Sequence, residues 1–169
     1  MATRQRKMDA VALLKADHRK VEELFESFEK AHDSARKEKL AKQICMELTI
    51  HSMIEEEIFY PACTGQVGDE DLIEEAYVEH DGAKVLISEL TNSSPDDEFF
   101  DAKVKVLSEM IKHHVNEEEK RDGLFAKSRQ SEMDLEALGE QLAARKAELM
   151  NDIPSKSSGR QAGGDLRDR

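Results

Sequence analysis

The sequence is poor in residues that interrupt helices or staple a small fold. Its 169 residues include no tryptophan, three prolines, eight glycines and two cysteines. Few prolines and glycines leave room for long helices. Cys45 and Cys63 have no metal-type spacing, so we interpret both as small buried residues in a reducing compartment. A chain of this length can bury a core without disulfides, and the composition favours an all-α domain.

Positive charge is also scarce. Lysine and arginine total 25 against 37 acidic residues, which gives a formal net charge of −12. A basic face for nucleic acid or an anionic membrane surface is therefore not expected. No apolar stretch reaches the length of a signal peptide or a membrane span. We expect a cytoplasmic protein whose partners are small molecules rather than nucleic acid or membrane.

Apolar residues recur at intervals of three and four from about residue 8 to residue 150. The pattern predicts five helices, at about 9–31, 35–60, 69–90, 95–120 and 133–150. Asp69 is a candidate cap for the third helix, Pro61 is predicted to end the second, and Ser94 with Pro95 to start the fourth.

These helices predict the domain organisation. Four long helices with short connections indicate an up-down-up-down antiparallel four-helix bundle over residues 9–128. The additional C-terminal helix, at 131–151, has a leucine stripe that could lie against the bundle or form a homodimer with a second copy. Residues 1–8 are expected to be flexible, and residues 152–169, which are almost devoid of apolar side chains, to form a disordered tail.

Each bundle helix carries a histidine at a position where its apolar stripe predicts a residue such as leucine. Two of these histidines are followed four positions later by a glutamate, which projects from the same helix face. The six residues are His18, His51, Glu55, His80, His114 and Glu118. The two halves of the chain repeat this order, which indicates a duplicated helix pair. Burying such groups without partners costs several kcal/mol each, so we predict a cation among them.

The donor types favour iron. Four histidines and two glutamates divide into two groups of two imidazoles and one carboxylate, a donor set associated with non-haem iron. Calcium and magnesium prefer oxygen ligands and structural zinc prefers a closed cage rich in cysteine, although zinc or manganese at a two-metal site remains an alternative. Ferritin-like Glu-x-x-His motifs are excluded, because Leu48, Tyr77 and Ile111 precede three of the histidines by three positions.

Several assignments stay open at this point. His113 competes with His114, and Glu22 and Glu79 are reserve ligands. Tyr77 could line the pocket and hydrogen-bond a bound oxygen species. A single histidine on an apolar face is often an ordinary core residue, and it is the joint pattern that favours a metal. The neighbouring glutamates are expected to be solvated or to stand behind the ligands: Glu56, Glu57, Glu117 and Glu119.

The order of these motifs resembles the hemerythrin-like (HHE cation-binding) domain family. The resemblance is carried by His18, His80, the segment His-Ser-Met-Ile-Glu-Glu-Glu-Ile-Phe-Tyr-Pro at 51–61 and the segment His-His-Val-Asn-Glu-Glu-Glu at 113–119. It implies a bundle with two iron ions per chain, oxo- or hydroxo-bridged, that binds or reduces dioxygen, peroxide or nitric oxide, or that handles iron. Membership would suit a role in oxidative stress.

The sequence departs from the oxygen-carrying members of that family. Those members have a His-x-x-x-His pair on the third helix, whereas here Ala76 and Lys84 lie four residues before and after His80. The resemblance then implies a more open or more oxygen-rich coordination of one iron, which favours peroxide breakdown, a catalase-like activity, over reversible oxygen carriage. Whether the chain is an enzyme stays open. The alternatives are a non-enzymatic iron-binding or redox-sensor module whose metal state controls conformation, and a metal-free structural bundle.

Overall fold

The computed structural model describes residues 7–155, with side chains as far as residue 152, and is built from helices throughout that part of the chain. This confirms the predicted all-α class. The helices are α1 (Ala10–Lys30), α2 (Ser34–Ile54), a π-helical turn (Glu55–Phe59), α3 (Tyr60–Cys63), α4 (Glu70–Thr91), α5 (Phe100–Glu119), α6 (Leu124–Gln130) and α7 (Leu135–Ser155). None of these helices is long and apolar enough for a bilayer crossing.

Aspartate side chains start three of the long helices. Asp9 accepts a hydrogen bond from the Ala12 amide at 2.8 Å, and Asp33 accepts one from the Arg36 amide at 3.1 Å. Asp69 caps α4 in the same way, as its position in the sequence predicts. Each carboxylate satisfies an amide that has no partner within its own helix and lies at the positive end of the helix dipole.

Four long helices form a closed ring. α1 packs against α2 and α5, and α4 packs against the same two helices from the other side. α1 and α5 run in opposite directions, because Phe28 lies beside Phe100 while His18 lies 3.4 Å from Glu118. α7 packs outside the ring, along α1 and α2, and its leucine stripe is buried there.

The C-terminal helix, α7, extends beyond its predicted end. α7 reaches Ser155, so residues 152–155 are helical and the prediction that the disordered tail begins at 152 is wrong. A scarcity of apolar residues does not stop a helix that is already nucleated and docked by its preceding turns. The rest of the predicted tail, and residues 1–6 of the predicted flexible N-terminus, lie outside the described residues.

Pro61 does not end the second helix, contrary to the prediction. The backbone widens into the π-turn just before Pro61, where the Tyr60 amide donates to the Glu55 carbonyl five residues back, and then continues as α3. In a regular α-helix the proline ring would clash with the carbonyl four residues back. The wider turn avoids this clash, and it also inserts one residue into the helical repeat.

The predicted start of the fourth helix is also wrong. The Asp97 carboxylate accepts from the Ser94 amide at 2.7 Å, and the Asp97 amide donates to the Ser94 carbonyl at 2.9 Å. This pair of bonds closes a turn instead of a helix. Phe99 then adopts a left-handed conformation with φ of 66°, and α5 begins at Phe100. The short helix α6, which follows Gly123, has no counterpart among the predicted helices.

The core consists of two apolar clusters. One cluster surrounds Leu14, Phe59 and Phe125 and includes the leucines of α7. The other surrounds Phe25 and Leu107 at the opposite end of the bundle. The stripe histidines come from the helix turns between these clusters, so the fold places a polar layer in its middle.

Candidate metal centre

All six residues predicted to bind a cation are buried and lie together. The histidines are 3–6% exposed, Glu118 is 2% exposed and Glu55 is 0% exposed. Two groups of three ligand atoms each lie within 4.8 Å of one another. One group is His18, His51 and Glu118, and the other is Glu55, His80 and His114. Each group has two imidazoles and one carboxylate, as the sequence predicts.

The histidine Nε2 atoms face one another in pairs. His18 Nε2 lies 3.2 Å from His51 Nε2, and His80 Nε2 lies 3.1 Å from His114 Nε2. One member of each pair comes from the first half of a helix hairpin and the other member from the second half. The duplicated order in the sequence is therefore duplicated in space.

The two glutamates lie between the histidine pairs. Glu55 Oε1 is 2.9 Å from His51 Nε2 and 3.3 Å from His80 Nε2. Glu118 Oε1 is 3.1 Å from His114 Nε2 and 3.4 Å from His18 Nε2. Each carboxylate thus contacts both groups and would help to hold a cation in either of them.

Three of the four glutamate oxygens are left without a hydrogen bond among the described residues. They are both carboxylate oxygens of Glu55 and Oε1 of Glu118. The histidine Nε2 atoms lie close to these oxygens but form no hydrogen bond with them. A buried carboxylate oxygen with no partner is costly, whereas a shared cation would satisfy the oxygens and the nitrogen lone pairs at once. The donor set therefore fits a pair of transition-metal ions.

The electrostatics of the centre favour positive charge. Burial alone would lower the pKa of His51, but the charges of Glu55 and Asp17 outweigh it and raise that pKa to about 10. Burial would likewise raise the pKa of Glu55, but the imidazole charge of His51 and the closeness of the other histidines hold it well below its usual value. Without a cation, protons on the imidazoles would balance the carboxylates, so a metal ion must compete with protons for the site.

Each of the four histidines of the centre has a carboxylate within hydrogen-bond distance of its Nδ1 atom. The distances are 3.0 Å from Asp17 to His51, 2.8 Å from Glu119 to His18, 3.2 Å from Glu56 to His80 and 3.1 Å from Glu79 to His114. An N–H that donates from Nδ1 leaves the Nε2 lone pair free to bind a metal and fixes the orientation of the ring.

The structure gives the positions of the residues whose assignment was open. His113 is largely exposed and contacts Glu79, so His114 is the residue that enters the centre. Glu79 contacts His114 Nδ1 from outside the centre, because it lies one residue before His80 and points away from the axis. Glu22 pairs with Arg19 at the surface and does not reach the centre either.

Tyr60 belongs to the centre, although the sequence did not predict it. The side chain is fully buried, and its hydroxyl donates to Glu118 Oε2 at 2.8 Å. The Tyr60 hydroxyl oxygen also lies 3.2 Å from His80 Nε2 and 3.3 Å from His114 Nε2. Burial and the charges of Glu118 and Glu55 raise the pKa of Tyr60 well above its usual value, so the hydroxyl keeps its proton in the absence of a cation.

Tyr77 plays a different part from the predicted one. Its ring packs edge-on against the Tyr60 ring, with centroids 5.3 Å apart. Its hydroxyl has no hydrogen bond to the six residues of the centre. The tyrosine next to the histidines and glutamates is Tyr60.

A small cavity adjoins the histidines on the side of the second apolar cluster. Its volume is about 30 Å³, enough for one water-sized molecule. The four histidines line one side, and the remaining lining is mostly apolar: Val21, Leu48, Ala83, Ile111 and Val115. Asp17 and Ser52 contribute its other polar groups. The cavity admits a small neutral molecule and is too small for a metabolite.

Comparison with known proteins gives a consistent family. A family model described as the Hemerythrin HHE cation binding domain matches residues 9–123. A crystal structure of a hemerythrin HHE cation binding domain-containing protein from Mycobacterium kansasii superposes with a TM-score of 0.75 over 90% of this chain and 94% of that chain. Sequence identity to it is 24%, so this likeness shows the fold alone.

Two curated relatives are longer proteins. A DNA nickase of Nostoc sp. is 28% identical over 154 residues, which are 90% of this chain and 43% of the nickase. An uncharacterized hemerythrin-like protein of Schizosaccharomyces pombe is 27% identical over 118 residues, which are 69% of this chain and 58% of that protein. This chain therefore spans about half the length of the curated relatives it matches.

Proposed function

This chain belongs to the Hemerythrin HHE cation binding domain family, and we propose that it is a non-haem di-iron protein that binds or reduces small oxidants such as dioxygen, peroxide or nitric oxide. The observation that carries the proposal is the set of buried, unpaired oxygens of Glu55 and Glu118 between two pairs of histidines. A shared cation would satisfy these groups, and the family is described as cation binding.

The donor atoms favour iron over other cations. Four imidazoles and two carboxylates suit a metal that accepts both nitrogen and oxygen, unlike calcium or magnesium. The two cysteines take no part, since Cys45 donates to the Ile87 carbonyl and Cys63 contacts the Ser128 hydroxyl. Without thiolate ligands, a structural zinc site is disfavoured.

Tyr60 would be a seventh ligand. Its hydroxyl lies beside His80 and His114, the histidines of the half that lacks the third histidine of oxygen-carrying relatives. Burial and the charges of Glu118 and Glu55 raise the pKa of Tyr60, and a cation there would offset those charges. Phenolate ligation would give this half a more oxygen-rich donor set.

The cavity supports a small oxidant as the molecule that reacts. Bound iron would supply the redox change and the open coordination positions. The chain itself selects for size, because the cavity holds about 30 Å³ and its walls are largely apolar. The carboxylates behind the histidines keep the rings fixed and the Nε2 atoms directed inward, so the site does not need to reorganise when an oxidant arrives.

Peroxide consumption tests the oxidant part. We expect iron-loaded protein to accelerate the disproportionation of peroxide to water and dioxygen, measured as dioxygen release with an oxygen electrode, and metal-free protein not to do so. Ala83→Val would narrow the cavity without touching a ligand, and should slow this reaction while iron content stays constant. Ala102→Val, the same change on an exposed face of α5, is its matched control. Iron-replete protein that is inert toward peroxide, dioxygen and nitric oxide would refute this part of the proposal.

The nicking activity in the name of the Nostoc relative is not carried over to this chain. That protein is more than twice as long as its matched segment. The net charge of −12 of this chain opposes binding to a phosphate backbone, which requires neutralising cations.

A further inference from the structure

α7 lies beyond the segment that matches the family, and yet it reaches the metal centre. Lys146 of α7 donates through Nζ to Asp17 Oδ1. The other oxygen of Asp17 is 3.0 Å from His51 Nδ1. Asp17 is only 6% exposed, so its charge depends on these two partners. A continuous set of hydrogen bonds therefore joins the C-terminal helix to one of the histidines.

Among the residues that the structure describes, the other three histidines have no such link to α7. The basic residues next to their carboxylates all come from the bundle: Arg19 beside Glu119, Lys84 beside Glu56 and His113 beside Glu79. The dependence on α7 is therefore confined to His51, in the half formed with His18 and Glu118.

We propose that Lys146 is a positioning residue that holds Asp17 on His51, so that docking of α7 sets the metal affinity of the half formed by His18, His51 and Glu118. The proposal rests on the proposed function in that it requires a metal in the centre. It adds that metal binding by the half formed by His18, His51 and Glu118 depends on α7, which lies outside residues 9–123. Metal binding by the other half does not depend on α7.

The physical reason is the cost of leaving Asp17 without a cation. A buried carboxylate that loses its lysine is left without a compensating charge and turns toward water, so it becomes a poorer acceptor for His51. His51 would then lose the contact that fixes its ring and tautomer. The His18 ring meets the His51 ring edge-on at 4.9 Å, so a rotation of one disturbs the other.

The coupling also operates in the reverse direction. Any free energy by which docked α7 strengthens metal binding must equal the free energy by which the metal strengthens α7 docking. Amide hydrogens of α7 should therefore exchange more slowly in the metal-loaded protein than in the metal-free protein. This effect should vanish when Lys146 is removed.

The test uses the full chain loaded anaerobically with ferrous iron. A chelator removes iron for timed intervals, and anomalous diffraction gives the occupancy of each half. Lys146→Met is compared with Arg145→Met, which breaks the 2.8 Å contact of α7 with Glu57 but leaves Asp17 untouched. Lys146→Arg tests rescue. Lys84→Met removes the corresponding lysine from the other half, where it contacts Glu56 at 2.8 Å.

We expect Lys146→Met to speed iron loss from the His18 half by about 10- to 100-fold, the usual cost of losing an outer partner of a ligand. The other half should stay unchanged, Lys146→Arg should restore most of the retention, and Arg145→Met should have little effect. Lys84→Met should act on the opposite half. Slower hydrogen exchange in α7 on metal loading should be seen in wild-type protein and in Arg145→Met.

Several outcomes of this experiment would overturn the role proposed for Lys146. If Arg145→Met matches Lys146→Met, or if both halves lose iron equally, Lys146 acts only by holding α7 in place and the proposal is overturned. Unchanged retention in Lys146→Met overturns it as well. Wild-type protein that takes up no iron overturns the proposed function, and this inference falls with it.

Discussion

Replacing Tyr60 with phenylalanine removes one oxygen from the centre of the protein and little else. The ring keeps its packing against Phe59 and Tyr77, so no cavity opens. In metal-free protein the change leaves Glu118 Oε2 without the hydroxyl that lies 2.8 Å away. A hydrogen bond to a charged group contributes about 1.5–3 kcal/mol.

That loss can be converted into a melting temperature. For a domain of this size, each kcal/mol shifts the melting temperature by roughly 2–4 °C. We therefore expect metal-free Tyr60→Phe to melt about 3–12 °C below wild type in calorimetry. Tyr77→Phe is the control, because the Tyr77 hydroxyl has no hydrogen bond to the histidines or glutamates of the centre, and it should melt close to wild type.

The iron-loaded protein gives a second, independent reading. Phenolate bound to ferric iron absorbs visible light, so wild type and Tyr77→Phe should share a visible band that Tyr60→Phe lacks. Equal spectra in all three proteins would show that Tyr60 is not a ligand. Equal melting temperatures of the metal-free proteins would show that its hydrogen bond to Glu118 contributes nothing.

Three further predictions concern the ligands and the backbone that carries them. His114→Ala should lower iron content by elemental analysis, whereas His113→Ala should keep it; the reverse result would exchange their roles. Iron uptake at pH 7.5 should release protons, measurable with an indicator dye in weak buffer, because metal-free His51 has a pKa of about 10 and binds metal only when neutral. The affinity for iron should accordingly rise with pH up to about 10. Iron uptake without proton release would contradict this prediction. Gly123→Ala should lower the free energy of unfolding by about 1–3 kcal/mol in urea titrations, since its Cβ would lie 2.8 Å from the Glu118 carbonyl oxygen; an unchanged midpoint would show that the turn yields freely.

The helical periodicity made much of the centre predictable. His18 and His80 occupy the stripe of their own helices, and a glutamate four residues after a histidine must share its face. Position within one helix, together with the cost of burial, was enough to bring Glu55 and Glu118 to the same axis. The pattern of one helix could not show that each glutamate also contacts the histidine pair of the other half.

Tyr60 was missed because the helical repeat changes just before it. A regular α-helix would carry the stripe from Glu55 to positions three and four residues later, but the π-turn adds a residue and brings Tyr60 to the axis five residues later. Pro61 was the available signal. A proline inside an otherwise helical pattern indicates either a helix end or a local change of repeat, and here it accompanies the second.

The carboxylates that contact the Nδ1 atoms of the histidines are positioned by contacts between distant segments of the chain. Asp17 precedes His18 directly and so points elsewhere on α1, toward α2 and α7. Its partner Lys146 follows it by 129 positions, and no periodicity in either helix relates the two. Such pairs follow from how helices dock, which the pattern of a single sequence does not specify.

We expect a pair of iron ions to occupy the space between the histidines and glutamates. The test is anomalous diffraction at the iron edge, on crystals of protein with its metal content measured. Two iron peaks should appear, one within reach of His18, His51 and Glu118 and the other within reach of Glu55, His80 and His114. A centre filled by water, with the glutamate oxygens hydrogen-bonded and no iron peak after loading, would contradict it.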